Sequence, residues 1–475
     1  MKHVKRILTL LLVAVMMLSL LACGEAKKEE TGSGAQIGEG TVALPEGFTV
    51  GFGRADITPV KLPIPVDASS GDYVADKLYA TCIAVSDGTD VALLYSMDMK
   101  NIPEDFYPEA AKRIEKAYGI PKANVVLNAM HTHNAPSAQS TSAEGIVEWR
   151  ELAYQGILAA AKSAMEDLAP ATAYTGRADT TGMAFVRRYL DVLTGRCLNM
   201  HETVSKGLST RETEADPELR TIRFDRGEEK KDILLVNWQA HAAHGQTSIK
   251  GAISADYVGV TRNGVESTMG VHFAFFMGAS GNINLQDKLN NTTLDWKVVG
   301  AQLVEKVKEA LATETAAEVG TDVKITQQII KGKVIQETPD RIMAAQAYST
   351  AKTAAEKQQV IKDYNLDTEH DVTAITYRTK YGETHDIPLT AVSFGDIAFA
   401  TAGYEMFDTN GKDIREGSPF QTTFICSLTN SNLGYFPDSD IWESKGYEVV
   451  ASRFEKGHAE ICANALIDML KAQAN

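Results

Sequence analysis

Apolar residues recur along this chain in two rhythms. Short continuous runs bounded by Gly, Asp and Pro read as buried strands, and longer stretches with a 3.6-residue period read as amphipathic helices. Tyr79–Val85 and Val91–Ser96 are such runs, joined by Ser86-Asp87-Gly88-Thr89-Asp90, a hairpin signal. A helix is predicted over Glu104–Tyr118, stopped by Gly119 and Pro121. A short buried strand, Asn124–Asn128, and a long helix from about Ala143 to Leu168 follow. A second hairpin is predicted from Leu219–Phe224, the Arg226-Gly227 turn and Ile233–Trp238, then a strand at Val271–Met277. The pattern continues with helices over Leu294–Thr313 and Asp340–Asp363 and strands at Val372–Arg378, Leu389–Phe394 and Ile397–Thr401. A last helix covers about Ala451–Lys471. No solenoid-length repeat is visible. The expected fold class is therefore α/β: a single large domain over 47–475, with mixed β-sheets flanked by helices. Residues 320–385 are the candidate for a subsidiary lobe.

The N-terminus breaks this rhythm. Lys2, Lys5 and Arg6 precede a charge-free apolar run, Ile7–Ala22, about 24 Å long as a helix, which is short for a membrane span but suits a signal peptide. It ends in Leu20-Leu21-Ala22-Cys23-Gly24, which resembles the bacterial lipoprotein signal. That resemblance implies cleavage after residue 22, acylation of Cys23, and a body held at the extracytoplasmic face of a bacterial membrane. An N-terminal transmembrane anchor is the alternative. Residues 23–46, with Lys27-Lys28-Glu29-Glu30 and a Gly-Ser-Gly run, read as a flexible tether.

Composition adds exclusions. Lys and Arg number 47 against 62 Asp and Glu, a net charge of −15, so the basic footprint a nucleic-acid partner needs is missing. Cys82, Cys197, Cys426 and Cys462 form no C-x-x-C pair and are expected to be buried free thiols. Oligomeric state is not readable from these features.

Histidines point to the chemistry. His131-Thr132-His133 follows the strand Asn124–Asn128; if that strand continues, both rings lie on one face, able to share a metal, or to divide metal binding and proton transfer. Asn237-Trp238-Gln239-Ala240-His241-Ala242-Ala243-His244-Gly245 ends another apolar strand. His241 and His244 would share a face only in a helix, which Gly245 opposes, so one of them is the candidate ligand. Glu405 follows the strand Ile397–Thr401, as a carboxylate ligand or as the first-turn acid of a helix. The sequence Gly278-Ala279-Ser280-Gly281-Asn282 is a partial nucleophile elbow around Ser280, the basis for a serine-hydrolase alternative.

Taken in order, these segments are similar to the catalytic domain of the neutral/alkaline ceramidases. The resemblance runs from Val50-Gly51-Phe52-Gly53-Arg54-Ala55-Asp56-Ile57-Thr58-Pro59 through Tyr95-Ser96-Met97-Asp98, His131-Thr132-His133, Phe185-Val186-Arg187-Arg188, Asn237–His241 and Ser254-Ala255-Asp256. It closes at Tyr404-Glu405, Leu433-Gly434-Tyr435 and Gly446-Tyr447-Glu448. It implies one Zn2+ held by His131, His241, Glu405 and Tyr435, with His133 as an acid/base or substrate-contact group and Arg187 and Tyr447 in the active site. Zinc in such a set polarises a carbonyl and lowers the pKa of bound water toward about 7. Asn284 stands where the ceramide-cleaving members carry a serine. The implied function is a surface-anchored zinc hydrolase of an amide or ester bond in a small-molecule or lipid-like acyl substrate. A catalytically lapsed, ligand-binding lipoprotein on the same fold is the alternative that Asn284 favours.

Overall fold

Strands that are apolar on both faces need both faces covered, and this chain solves that problem three times over. The computed structural model describes residues 43–474 apart from 68, 199–201, 321 and 367. The signal segment, Cys23 and nearly all of the tether lie outside the described residues. The first sheet contains β1 (Thr49–Asp56), β2 (Tyr79–Ser86), β3 (Val91–Met97) and β4 (Val125–Ala129), in the order β4-β3-β2-β1, with Ala169–Pro170 at the far edge. The second contains β5 (Thr172–Asp179), β6 (Glu218–Asp225), β7 (Ile233–Trp238) and β8 (His272–Met277), in the order β8-β7-β6-β5, with Thr315–Ala317 at the edge. The third is β9 (Lys324–Lys333), β10 (Thr384–Phe394), β11 (Ile397–Ala402) and β12 (Thr422–Cys426), in chain order. Each sheet ends in one parallel pair: β3 with β4, β7 with β8, β11 with β12.

The period-2 alternation divides each strand between two cores. On β2 and β3, Ile83, Val85, Ala92 and Leu94 point into a centre shared by all three sheets. Ile222, Phe224, Leu235 and Phe276 enter it from the second sheet, and Phe394, Phe399 and Phe424 from the third. Their rings interlock, with Phe276 5.5 Å from Phe399 and Phe399 5.2 Å from Phe424. The alternate residues Ala80, Cys82, Leu93 and Tyr95 face outward into a second core under the helices. There α1 (Phe106–Tyr118) and α2 (Ile146–Glu166) belong with the first sheet, and α3 (Asp256–Met269) and α4 (Trp296–Ala312) with the second. The contact of α2 with β1 is close enough to require glycine: a Cβ at Gly53 would lie 2.0 Å from the Ala160 carbonyl oxygen, and one at Gly51 1.9 Å from that of Ala164.

The insert between β9 and β10 is helical, which corrects two expectations. The single helix predicted over 340–363 is two helices, α5 (Pro339–Thr350) and α6 (Ala354–Asp363), because Thr353 and Glu356 form a capping box that restarts the chain. Val372–Arg378 is not a strand but the body of α7 (Glu369–Tyr381), started by a second capping box, Thr368 with Asp371. Its β-branched residues concealed a helical period: Asp371, Val372, Ala374, Ile375 and Arg378 are the buried positions. The three helices share a small core of their own that includes Ala344, Ile361, Leu366 and Ile375. The last helix begins later than expected, at His458, after a short turn at Tyr447–Ala451. The cysteines Cys82, Cys197, Cys426 and Cys462 are free and buried.

Candidate metal centre

The parallel pairs of the three sheets supply the centre, because each of β4, β7 and β11 runs straight into a donor. Buried asparagines lock these strand ends together. Asn128, three residues before His131, donates to the Ser427 carbonyl at 2.6 Å and accepts from the Met277 N–H at 2.8 Å. Asn237, four before His241, donates to the Phe276 and Ile425 carbonyls, both at 2.8 Å, and accepts from the Ile425 N–H at 3.1 Å. These amides satisfy their own buried polarity while fixing three sheets in one register.

The expected continuation of the strand through His131 does not occur. β4 ends at Ala129, and His131 takes a left-handed φ of 65°, a strained choice for a non-glycine residue. The turn, rather than strand alternation, brings His131 and His133 together, with ring centroids 4.8 Å apart and nearly perpendicular. His241 joins them, its ring 4.6 Å from that of His131. One ring nitrogen from each of the three lies within 4.8 Å of the others.

Each ring is oriented from behind. His131 Nδ1 lies 2.7 Å from the Lys100 carbonyl, just beyond β3, and His241 Nδ1 lies 2.8 Å from the Ser280 carbonyl, just beyond β8. His133 Nδ1 lies 2.9 Å from the Asp67 carboxylate, which also pairs with Lys100. With Nδ1–H donating outward, Nε2 of all three rings faces inward as a lone pair, and all three Nε2 atoms are buried without a hydrogen-bond partner. Glu405 Oε2 shares that condition, 3.5 Å from His131 Nε2 and 3.2 Å from His241 Nε2. Buried lone pairs that converge without hydrogen bonds are costly by themselves, and a cation between them removes the cost.

Glu405 is not a helix acid. It pairs in a two-residue parallel ribbon directly opposite Tyr435, and its N–H bonds the Gly434 carbonyl at 2.8 Å. Gly281 closes on the same ribbon: its N–H bonds the Met406 carbonyl at 2.7 Å, and a Cβ there would lie 2.7 Å from the Glu405 carbonyl oxygen. On the Tyr435 side, Arg187 donates from Nη2 to the Tyr435 hydroxyl at 3.1 Å and from Nε to Glu448 at 2.8 Å. Tyr447 stacks edge-on to Tyr435, centroids 5.3 Å apart, and meets His370 of α7 at 4.6 Å.

Charge states follow from burial and neighbours. Burial, followed by the Arg187 and His131 charges, pulls His241 down to about 3, so its imidazole is neutral at pH 7. Burial, with the Lys100 charge, holds His133 well below ordinary histidine despite Asp67. Burial, reinforced by Glu405, raises Tyr435 well above its ordinary value and Tyr447 to about 12. Two imidazole nitrogens and one carboxylate oxygen make a donor set that suits a divalent cation such as zinc.

His131, His133, His241, Glu405, Tyr435, Arg187 and Tyr447 are thus brought into one neighbourhood. His244 is not part of the ring; it caps the short helix Gly245–Ser248, and it is His241 that reaches Glu405. Asn284 pairs with Phe185 across a small ribbon, its side chain accepting from the Leu285 N–H at 3.0 Å. The nucleophile elbow is absent: Ser280 leads into another ribbon, not a helix, and its buried hydroxyl has no hydrogen-bond partner. Two supports went unassigned in the sequence, Asp67 and Glu448. The second stands beside Tyr447 in Gly446-Tyr447-Glu448, whereas Asp67 sits in the turn of a short hairpin, Ile64–Val66 with Ser69–Gly71, that the apolar pattern did not mark.

Three sheets whose strand ends gather histidines and a glutamate define an α/β protein with a candidate metal centre at its middle. The fold is that of the neutral ceramidases. Neutral ceramidase from Pseudomonas aeruginosa superposes with a TM-score of 0.67 at 15% identity, over 90% of this chain and 75% of that one. A ceramidase complexed with C2 gives a TM-score of 0.65 at 14% identity, over 90% and 76%. No family model and no curated protein matches the chain by sequence.

Proposed function

We propose that this protein is a zinc-dependent hydrolase of an amide or ester bond, acting on an N-acyl lipid or a related conjugate from an anchor at Cys23 on the outer face of a bacterial membrane. The observation that carries the reading is the convergence of His131 Nε2 and His241 Nε2 on Glu405 Oε2, within a neutral ceramidase fold. In this reading His131, His241, Glu405 and Tyr435 hold the ion, which when bound supplies a Lewis acid and a water acidic enough to serve as nucleophile near neutral pH.

The chain's own groups then divide the remaining work. The Arg187 guanidinium, held by Glu448 beside the Tyr435 hydroxyl, is placed to bind a developing oxyanion. His133 presents Nε2 to the cluster while Asp67 fixes its Nδ1–H, so a proton can be taken up and released at Nε2 in one ring orientation. Tyr447 offers a neutral phenol as donor to the substrate.

The test is a screen of zinc-loaded and chelator-stripped protein against N-acyl sphingoid bases, N-acyl amino acids and fatty esters. Release of fatty acid from one class, lost on stripping and restored by zinc, is expected. Release indifferent to the chelator contradicts the zinc reading. Metal binding with no release from any class favours a lapsed, ligand-binding protein, the reading that Asn284 supports.

A further inference from the structure

Both histidine segments of the candidate centre lean on one short stretch of chain, Ser254-Ala255-Asp256-Tyr257, where the short strand Ala252–Ile253 passes into α3. Thr132, between His131 and His133, donates its hydroxyl to the Ser254 carbonyl at 2.7 Å, and the Ser254 N–H donates to the Asn134 carbonyl at 3.2 Å. The Tyr257 hydroxyl donates to the carbonyl of Ala240, the residue before His241, at 2.8 Å. Four residues after His241, the Gly245 N–H donates to the Asp256 carboxylate at 2.7 Å. The loop that carries His241 is thus held on either side of it. The His133 N–H joins the two segments directly, donating to the Ala242 carbonyl at 2.9 Å.

Asp256 is the costly member of this stretch. Its side chain is fully buried, and its backbone takes a left-handed φ of 53°. A buried carboxylate on a strained residue persists only where its surroundings hold it there. Burial lifts its carboxyl to about 6 against the pull of the Gly245 and Tyr257 N–H groups, so it is largely ionised at pH 7. One oxygen accepts from Gly245 and the other from the Tyr257 N–H at 2.7 Å. The Asp256 N–H donates to the Ser254 hydroxyl at 3.0 Å, and that hydroxyl donates in turn to Asp76. Gly245 is bare for the same contact: a Cβ there would lie 2.9 Å from Asp256 Oδ2 and 3.0 Å from Asn134 Oδ1. Other groups tie α3 to the body, among them the buried Val258 and Val265 and the Arg262–Asp98 ion pair at 2.7 Å. What the Asp256 carboxylate adds is its hold on the histidine loop.

We propose that Asp256 is a positioning residue for the metal donors: through Gly245 it sets the loop that carries His241, and so the place of His241 Nε2 against His131 Nε2 and Glu405. This rests on the metal reading above. Asp256 acts through the loop and not as a ligand, so its loss should loosen the metal while the fold stands.

Zinc affinity of the full-length chain tests this, measured with zinc alone against a competing chromophoric chelator, beside the urea midpoints of the metal-free proteins. Asp256→Ala, folded by circular dichroism, is expected to bind zinc about tenfold more weakly or worse. Gly245→Ala breaks the same contact from the loop side and is expected to weaken zinc by a similar factor. Gly53→Ala, which disturbs the contact of α2 with β1, is the control for lost stability alone and is expected to bind as the parent does. Parental affinity in either folded loop variant overturns the positioning role, and so does an equal weakening in Gly53→Ala. If Asp256→Ala does not fold, Gly245→Ala decides by the same criteria. A parent that binds no zinc overturns the metal reading and this proposal together, whereas variants as tight as a tight parent overturn this proposal alone.

Discussion

Glu448 holds two buried guanidiniums at once, so Glu448→Gln separates the site's scaffold from its metal. The carboxylate accepts from Arg187 Nε at 2.8 Å and from Arg188 Nη1 at 3.0 Å, and the residue is 2% exposed. Burial opposes its ionisation, but the two arginines outweigh burial and hold the carboxyl below its usual range. Arg188 keeps Glu212, at 2.6 and 3.1 Å, after the substitution. Arg187 keeps the Tyr435 hydroxyl, one amide oxygen and the neighbouring faces of the Tyr435 and Tyr447 rings. Stripping the partner from a buried ion pair costs about 3–5 kcal/mol. Glutamine preserves shape and one acceptor, so the lower end, about 3 kcal/mol, is expected. With an m-value of about 3 kcal/mol/M, the urea midpoint at pH 7 falls by about 1 M. Zinc binding should be retained, because Glu448 bonds none of the four donors directly and reaches Tyr435 only through Arg187, which keeps its bond to the Tyr435 hydroxyl. A midpoint shift below about 0.2 M, or a loss of metal, would refute this reasoning.

Three further outcomes follow from the geometry. Gly53→Ala should destabilise the chain by about 2 kcal/mol or more, read by thermal or urea unfolding, because its Cβ would lie 2.0 Å from the Ala160 carbonyl oxygen and α2 must move; a neutral substitution contradicts the packing of α2 on β1. His244, which burial pulls down to about 4, stays neutral in the folded chain while the unfolded chain takes up a proton below about pH 6.5. Stability should therefore fall with pH across that window by about 1.4 kcal/mol per unit from this group, and His244→Gln should flatten the pH profile of unfolding by that slope. Asp67→Asn should leave metal content intact and slow hydrolysis roughly tenfold, since His133 loses the carboxylate that fixes its tautomer; an unchanged rate removes His133 from proton transfer.

The strands were legible because both of their faces are buried. Val91–Ser96 and Ile233–Trp238 are continuous apolar runs, and the structure extends each by at most a residue. The helical insert was less so, because Val372–Arg378 is β-branched in composition and only the capping box at Thr368 and Asp371 reveals the helix. The donors His131, His241 and Glu405 were marked by their position just after apolar strands. What the sequence could not carry is how they meet. His131 and His133 converge through a left-handed turn instead of strand alternation, and Asp67, which orients His133, lies in loop chain 66 residues earlier. Loop partners of this kind leave no periodic trace.

The most direct test is the metal content of the purified full-length chain after dialysis against zinc, measured beside His131→Ala. His131 reaches Glu405 through Nε2 and is itself fixed by the Lys100 carbonyl, so its removal opens the donor set at its centre. About one zinc per chain in the parent, and far less in a variant that keeps its folded circular-dichroism signal, is the predicted result. A parent that retains no zinc, or a folded His131→Ala that retains as much as the parent, would contradict the account.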